Sequence, residues 1–181
     1  TNWTQVFGSS SGIVTSTQNG ASWLVNGYFY VNDLAMYDHD SDPSTTNWIY
    51  AALGMGSHKH MSNTYLDIFQ HGLIYSTDEG ATWTSVSINY NGTTNREHIN
   101  DIEVQELSNR IWLSTTTGNG SHGGNFYYSD NGTTFTQTSS TWSPTITQTN
   151  VRRVEIEPSE TNSATHYILA NISGEAEFYK T

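Results

Sequence analysis

A repeat decides most of what this chain can fold into. Three segments align without gaps: Val31-Asn32-Asp33-Leu34-Ala35-Met36, Ile99-Asn100-Asp101-Ile102-Glu103-Val104 and Val151-Arg152-Arg153-Val154-Glu155-Ile156. Their starts are 68 and 52 residues apart. Each ends in alternating apolar and polar residues, the period of a half-buried strand. A second aromatic-aliphatic run follows each after a polar turn: Trp48–Ala52, Ile111–Ser114 and His166–Ala170. A third run comes next: Gly72–Ser76, Asn125–Tyr128 and Glu177–Lys180.

A turn with its own signature closes the pattern. Ser76-Thr77-Asp78-Glu79-Gly80-Ala81-Thr82-Trp83 fits S-x-D-x-G-x-T-W at every fixed position. Tyr128-Ser129-Asp130-Asn131-Gly132-Thr133-Thr134-Phe135 keeps Asp130, Gly132, Thr134 and the aromatic Phe135. Ser16-Thr17-Gln18-Asn19-Gly20-Ala21-Ser22-Trp23 is a weaker copy that retains Gly20 and Trp23. Its mechanics are readable. A carboxylate can accept backbone N–H groups across a tight turn. A glycine can take the positive φ such a turn needs. The aromatic opens a fourth strand and can pack against a neighbouring sheet. Asp78 and Asp130 are accordingly expected to be structural.

The pattern resembles the Asp-box (BNR) repeat family, which includes sialidases, xyloglucanase-type glycosidases, sortilin-type receptors, photosystem assembly factors and many secreted bacterial proteins. The resemblance covers nearly the whole chain. It implies an all-β fold, a β-propeller of four-stranded antiparallel blades, here an incomplete set. The expected divisions are a partial blade over 1–30, a blade over 31–98 with an insertion at 54–72, a blade over 99–150, and a blade over 151–181. A closed propeller takes roughly four to eight blades, and an open sheet edge invites pairing. The expectation is therefore a piece of a longer protein, or a ring closed with a companion chain.

Composition narrows the partners. The 181 residues carry 17 Asp and Glu against 6 Lys and Arg, a net charge of −11. Phosphate binding needs a basic surface, so nucleic acid and anionic membranes are poor partners. No apolar run approaches the roughly 18 residues of a membrane-spanning helix. There is no cysteine, hence no disulfide framework and no thiol chemistry. Few lysines with many Asn, Thr and Tyr fit an extracellular or cell-surface protein, bacterial and secreted.

In the resembling families the ligand face lies opposite the boxes. Here it is expected to hold the insertion with His58, Lys59, His60, Tyr65, Asp67, Phe69 and His71, together with Tyr90, Arg96, Glu97 and His98 from the inter-blade loop, and His122. The ligand-binding candidates are His58, His60, Tyr65, Phe69, His71, Tyr90, Arg96, His98 and His122. No histidine spacing matches a zinc motif. The run Asp38-x-Asp40-x-Asp42 lacks the Gly and Glu of a calcium loop, since Pro43 and Ile49 stand there. No metal and no cofactor is expected. Asp33, Asp67 and Asp101 are the catalytic candidates for a glycosidase, which needs two carboxylates across a cleft. The competing reading has Asn32-Asp33 and Asn100-Asp101 bonding backbone groups. A sialidase would need clustered arginines for a substrate carboxylate, and only Arg96, Arg110, Arg152 and Arg153 are present. The expected activity is binding of a polysaccharide or an extracellular protein, with a glycoside hydrolase as the alternative.

Overall fold

The computed structural model describes residues 15–18, 21–24, 29–40, 42, 44–55, 72–88, 97–116, 124–138 and 151–181, and they contain strands and turns but no helix. Among the described residues thirteen strands form: β1 (Thr15–Gln18), β2 (Ala21–Leu24), β3 (Phe29–Tyr37), β4 (Trp48–Met55), β5 (Gly72–Ser76), β6 (Thr84–Val86), β7 (His98–Gln105), β8 (Arg110–Thr116), β9 (Phe126–Ser129), β10 (Thr136–Gln137), β11 (Val151–Pro158), β12 (His166–Ile172) and β13 (Glu175–Lys180). Every paired strand is antiparallel to its sequence neighbour. β1 and β2 form a hairpin. Three sheets follow, which we call I (β3-β4-β5-β6), II (β7-β8-β9-β10) and III (β11-β12-β13).

The repeat seen in sequence is exact down to an irregularity of the backbone. The first strand of each sheet carries a register shift at the same place: Val31/Asp33, Ile99/Asp101 and Val151/Arg153. An extra residue unpaired with the second strand bends a strand and re-aims its side chains. Asn32 and Asn100 stand at that point, and their side chains leave their own sheet for the next one.

The sheets stack face on face in chain order. Between I and II lie Tyr37, Tyr50, Ala52 and Leu73 from sheet I and Ile99, Ile102, Ile111, Leu113 and Tyr127 from sheet II. Between II and III lie Trp112 and Phe126 against Val151, Val154, Ile156, Ile168, Ala170 and Ile172. Alternation assigns these faces: residues two apart on a strand share a side.

Hydrogen bonds between sheets repeat as well. From I to II, Asn32 donates Nδ2 to Ile99 O at 2.7 Å, and Ile102 N–H donates to Asp33 Oδ2 at 2.9 Å. From II to III, Asn100 donates Nδ2 to Val154 O at 2.6 Å, and Ile156 N–H donates to Asp101 Oδ2 at 2.6 Å. Tyr37 and Gln105, at corresponding strand ends, reach Asn109 O and Ser159 O in the following sheet's first turn. A first strand pairs on one edge only, so its other edge offers backbone groups that need partners. The Asn-Asp pairs supply them.

Candidate functional site

The two ends of the strands differ in kind. At the end where β3, β7 and β11 begin, the connections 56–71, 89–96 and 117–123 join β4 to β5, β6 to β7 and β8 to β9. At the opposite end lie the turns Ser76–Trp83 and Ser129–Phe135 and the acidic turn after β3. In that acidic turn Asp40 Oδ1 accepts Asp42 N–H and the Thr45 hydroxyl, and Asp42 Oδ1 accepts Ser44 N–H.

The first box turn is held by its own polar atoms. Thr82 donates its N–H to Asp78 Oδ1 at 2.7 Å and its hydroxyl to Asp78 Oδ2 at 2.6 Å. These bonds hold the Asp78 carboxyl below the usual range, with the Thr82 hydroxyl the largest cause. Ser76 Oγ donates to Asp78 and accepts Gly80 N–H at 2.8 Å. Gly80 has φ 88°. Trp83 is half-buried against Ala51, Leu53 and Ile74, and its ring N–H meets Gly80 O at 3.0 Å.

The second turn corrects the expected alignment. Asp130 does not hold it. Asn131 Oδ1 accepts Thr133 N–H at 3.0 Å and Thr134 N–H at 2.8 Å, and Ser129 Oγ accepts Gly132 N–H at 2.9 Å. Ser129 and Asn131 therefore take the places of Ser76 and Asp78, in a turn one residue shorter. Asp130 points outward and pairs with Arg110, whose Nε and Nη2 donate to its two oxygens at 2.6 and 3.1 Å. Arg110 also lies 4.4 Å from the centre of the Tyr128 ring. Gly132 has φ 77°, and Phe135 packs on the core between I and II.

A group of carboxyls lines the first strands. Ligand oxygens of Asp33, Asp101 and Glu103 all lie within 4.8 Å of one another. Glu103 was not expected; it shares a strand face with Asp101, two residues away, and that spacing is its signal in the sequence. Burial pushes Asp101 well above the ordinary carboxylate range, helped by Glu155, Glu103 and Asp33 and opposed by the Ile156 N–H. Burial likewise raises Glu103 to about 7, with Glu157, Asp33 and Glu155 adding repulsion. Hard cations take oxygen ligands of this type, and these three side chains are the ones that could hold such an ion. Asp33 and Asp101 each also bind an amide of the next sheet.

A second buried carboxyl stands at the loop end. Glu97 is fully buried and its Oε1 accepts Asn125 Nδ2 and Tyr127 OH, both at 2.8 Å. Its Oε2 is buried without a hydrogen bond. Burial lifts it to about 7, against the pull of Tyr127 and Asn125. Glu97 N–H also meets Ile88 O at 2.9 Å, which closes the base of the connection between β6 and β7. Its neighbour His98 is 3% exposed and packed inside sheet II, which removes it from an accessible ligand face.

His58, His60, Tyr65, Asp67, Phe69, His71, Tyr90, Arg96 and His122 lie outside the described residues, as does Gly20, and of Trp23 only its backbone place in β2 is described. No family model, no curated protein and no solved structure matches the chain.

Proposed function

We propose that sheets I to III are consecutive blades of an Asp-box-type β-propeller, and that the chain is a binding module of the cell surface or extracellular space that takes a polysaccharide or a protein. The observation that supports this best is the division of labour between the two strand ends. Box turns built from self-bonded polar atoms occupy one end. From the other leave the connection 56–71, with three histidines, Tyr65 and Phe69, and the shorter connections 89–96, with Tyr90, and 117–123, with His122. Loops carried on a rigid scaffold are where binding residues concentrate. The aromatic faces of Tyr65, Phe69 and Tyr90 suit the apolar face of a sugar ring. The net charge of −11 turns the reading away from nucleic acid.

A second reading, a glycoside hydrolase, draws on the carboxyls of Asp33, Asp101 and Glu103. Their ligand oxygens lie within 4.8 Å of one another, inside the roughly 5–5.5 Å that separates the carboxyls of retaining glycosidases. Raised carboxyls are what a general acid needs. Against it, Asp101 spends one oxygen and Asp33 both on backbone amides.

One experiment separates the two. The intact chain is assayed on arrayed plant, algal and bacterial glycans, for retention and for released reducing ends. Binding predicts retention that is lost in the Tyr65→Ala/Phe69→Ala double variant and kept in Asp33→Asn and Asp101→Asn. Sugar release that disappears with Asp101→Asn or Asp33→Asn would establish the hydrolase instead.

A further inference from the structure

Glu97 is a buried polar group that the sheet repeat does not call for. It stands just before β7, and its side chain reaches Asn125 and Tyr127 at the start of β9. Register fixes the counterparts of those two residues. Tyr127 pairs with Leu113 as Ile74 pairs with Ala51 and Glu177 with Ala170. The corresponding residues are therefore Gly72 and Ile74 in sheet I and Glu175 and Glu177 in sheet III. Neither pair offers the amide and phenol donors that enclose Glu97. A buried polar group beyond the needs of the architecture, with one atom unsatisfied, asks for a functional account.

The group lies in the seam between sheets I and II, at the end from which the long connections leave. Tyr127 and Ile88 belong to the core of that seam. A Cβ on Gly72, the first residue of β5, would stand 3.8 Å from Glu97 O, and Glu97 N–H donates to Ile88 O, two residues beyond β6. The backbone of Glu97 thus lies against the sheet I side while its side chain holds sheet II. Three anchors meet here. Gly72 ends the connection 56–71, Glu97 ends 89–96, and Gly124-Asn125 end 117–123. The last is drawn in by Thr115, whose carbonyl accepts Gly124 N–H at 3.1 Å and whose hydroxyl accepts Asn125 N–H at 3.0 Å. Asn125 Oδ1 in turn accepts Gln137 Nε2 at 3.1 Å.

Among the described residues no cation balances this carboxyl. Tyr127 is the titratable group bonded to it, and Asn125, Gln137, Gly72 and Ile88 are uncharged. His98 follows it in the chain, and Arg96, before it, lies outside the described residues. Oε1 takes both donors and Oε2 takes none. A neutral acid carries its proton on one oxygen and leaves the other as a carbonyl acceptor, which fits this arrangement. An anion here keeps one oxygen bare in the interior, at a cost that water at Oε2 would relieve. Glu97 is fully buried, so water reaches that oxygen only when the seam opens.

From this we infer that Glu97 is a proton-operated latch: protonated, it holds sheets I and II closed at the loop end, and when it gives its proton to water it becomes hydrated and the three anchors part. The switch is local, because the box turns at the other end are bonded by their own polar atoms and do not depend on Glu97. The inference rests on the packing and hydrogen bonding of the seam and not on the ligand reading, which survives its failure.

Amide hydrogen exchange of the whole chain, followed by NMR from pH 4.5 to 8.5 and corrected for the intrinsic effect of pH, tests this. The closed and hydrated forms titrate at about 7 and 4.5, so an opening that exposes Glu97 becomes up to about tenfold more favourable with each pH unit between those values and levels off above them. The amides of Glu97, Gly124 and Asn125 should be less protected than those of β8, and should lose protection with that slope. In Glu97→Gln they should hold one level across the range. Tyr127→Phe removes a donor that favours the anion, so its loss of protection should continue to higher pH than in the parent. Protection that does not change with pH in the parent overturns the inference. Protection equal to that of β8 at every pH overturns it too, because the seam then opens only with the whole fold. Both of these results come from the parent alone, so a variant that fails to fold does not spare the inference. A Glu97→Gln chain that folds and keeps the parent slope overturns it as well, since another group then titrates.

Discussion

Glu97 shows how one residue can set the pH response of the fold. A carboxyl enclosed among strands, with one oxygen bonded and the other bare, is costly as an anion. Its value of about 7 in the folded chain compares with 4.5 in the open chain. The folded state therefore binds more protons than the unfolded state between those values. The stabilisation is complete below pH 4.5 and is lost as pH rises towards 7, at most about 3 kcal/mol. Asp101 and Glu103 are raised and act in the same direction. Asp40, Asp42 and Asp78 are lowered, so their contribution is present above the ordinary carboxylate range and fades in acid. His166 is lowered by burial and Arg110, and favours folding as pH rises through the ordinary histidine range. The Glu97→Gln variant keeps a carbonyl for Tyr127 and Asn125 and removes the titration. Urea unfolding from pH 4.5 to 8.5 should show that variant gaining on the parent as pH rises. Parallel curves for parent and variant would place an ionised Glu97 in the fold.

At the scale of elements, the strands were legible because their causes are local. Period-2 alternation and β-branched or aromatic residues located β3, β4, β7, β8, β11 and β12 within a few residues. That Asn32-Asp33 and Asn100-Asp101 bond backbone groups was one of two readings the sequence offered; that those groups belong to the next sheet was not legible, and only the bulge shows why both side chains leave their sheet. The second box turn misled. Its Asp130 sits two residues before the glycine, as Asp78 does, but the serine that anchors the turn is one position late. A turn one residue shorter needs its acceptor at Asn131, and the outward Asp130 is free to meet Arg110. Glu97 was visible only as part of a polar loop, because nothing local announces that distant Asn125 and Tyr127 will enclose it. The turn gives a clean comparison. Asn131→Ala leaves the amides of Thr133 and Thr134 without their acceptor and should cost about 1 kcal/mol. Asp130→Ala removes a partly exposed ion pair, with the carboxylate side chain at 59% exposure, and should cost well under that. Thermal melts of the two variants decide the assignment, and the reverse order would restore Asp130 to the turn.

At the scale of the whole molecule, the packing among the described residues runs from sheet I to sheet II and from sheet II to sheet III, so stability should depend on the contacts between sheets as much as on the sheets themselves. Gly132 tests this, because it belongs to the turn of sheet II and touches sheet I. Its carbonyl accepts Tyr50 OH at 2.9 Å. A Cβ placed there would stand 2.3 Å from Tyr50 Oη and 2.9 Å from the Trp48 ring, at φ +77°. Tyr50 is fully buried and stacked on Tyr75, so it has no room to withdraw. Gly174, in the turn between β12 and β13, has φ +99° and nothing within 4 Å of the same added atom. Both substitutions by alanine carry backbone strain, and only Gly132→Ala adds overpacking, typically about 1–3 kcal/mol. Gly132→Ala should therefore lower the melting temperature more than Gly174→Ala. Hydrogen exchange distinguishes the cause. If the interface couples the sheets, Gly132→Ala should speed exchange at the amides of β4 and β5 in sheet I, far in sequence from the change, along with those of β8 and β9. Faster exchange confined to sheet II would mean that the sheets open independently and that the stack is held by its connections rather than by its faces.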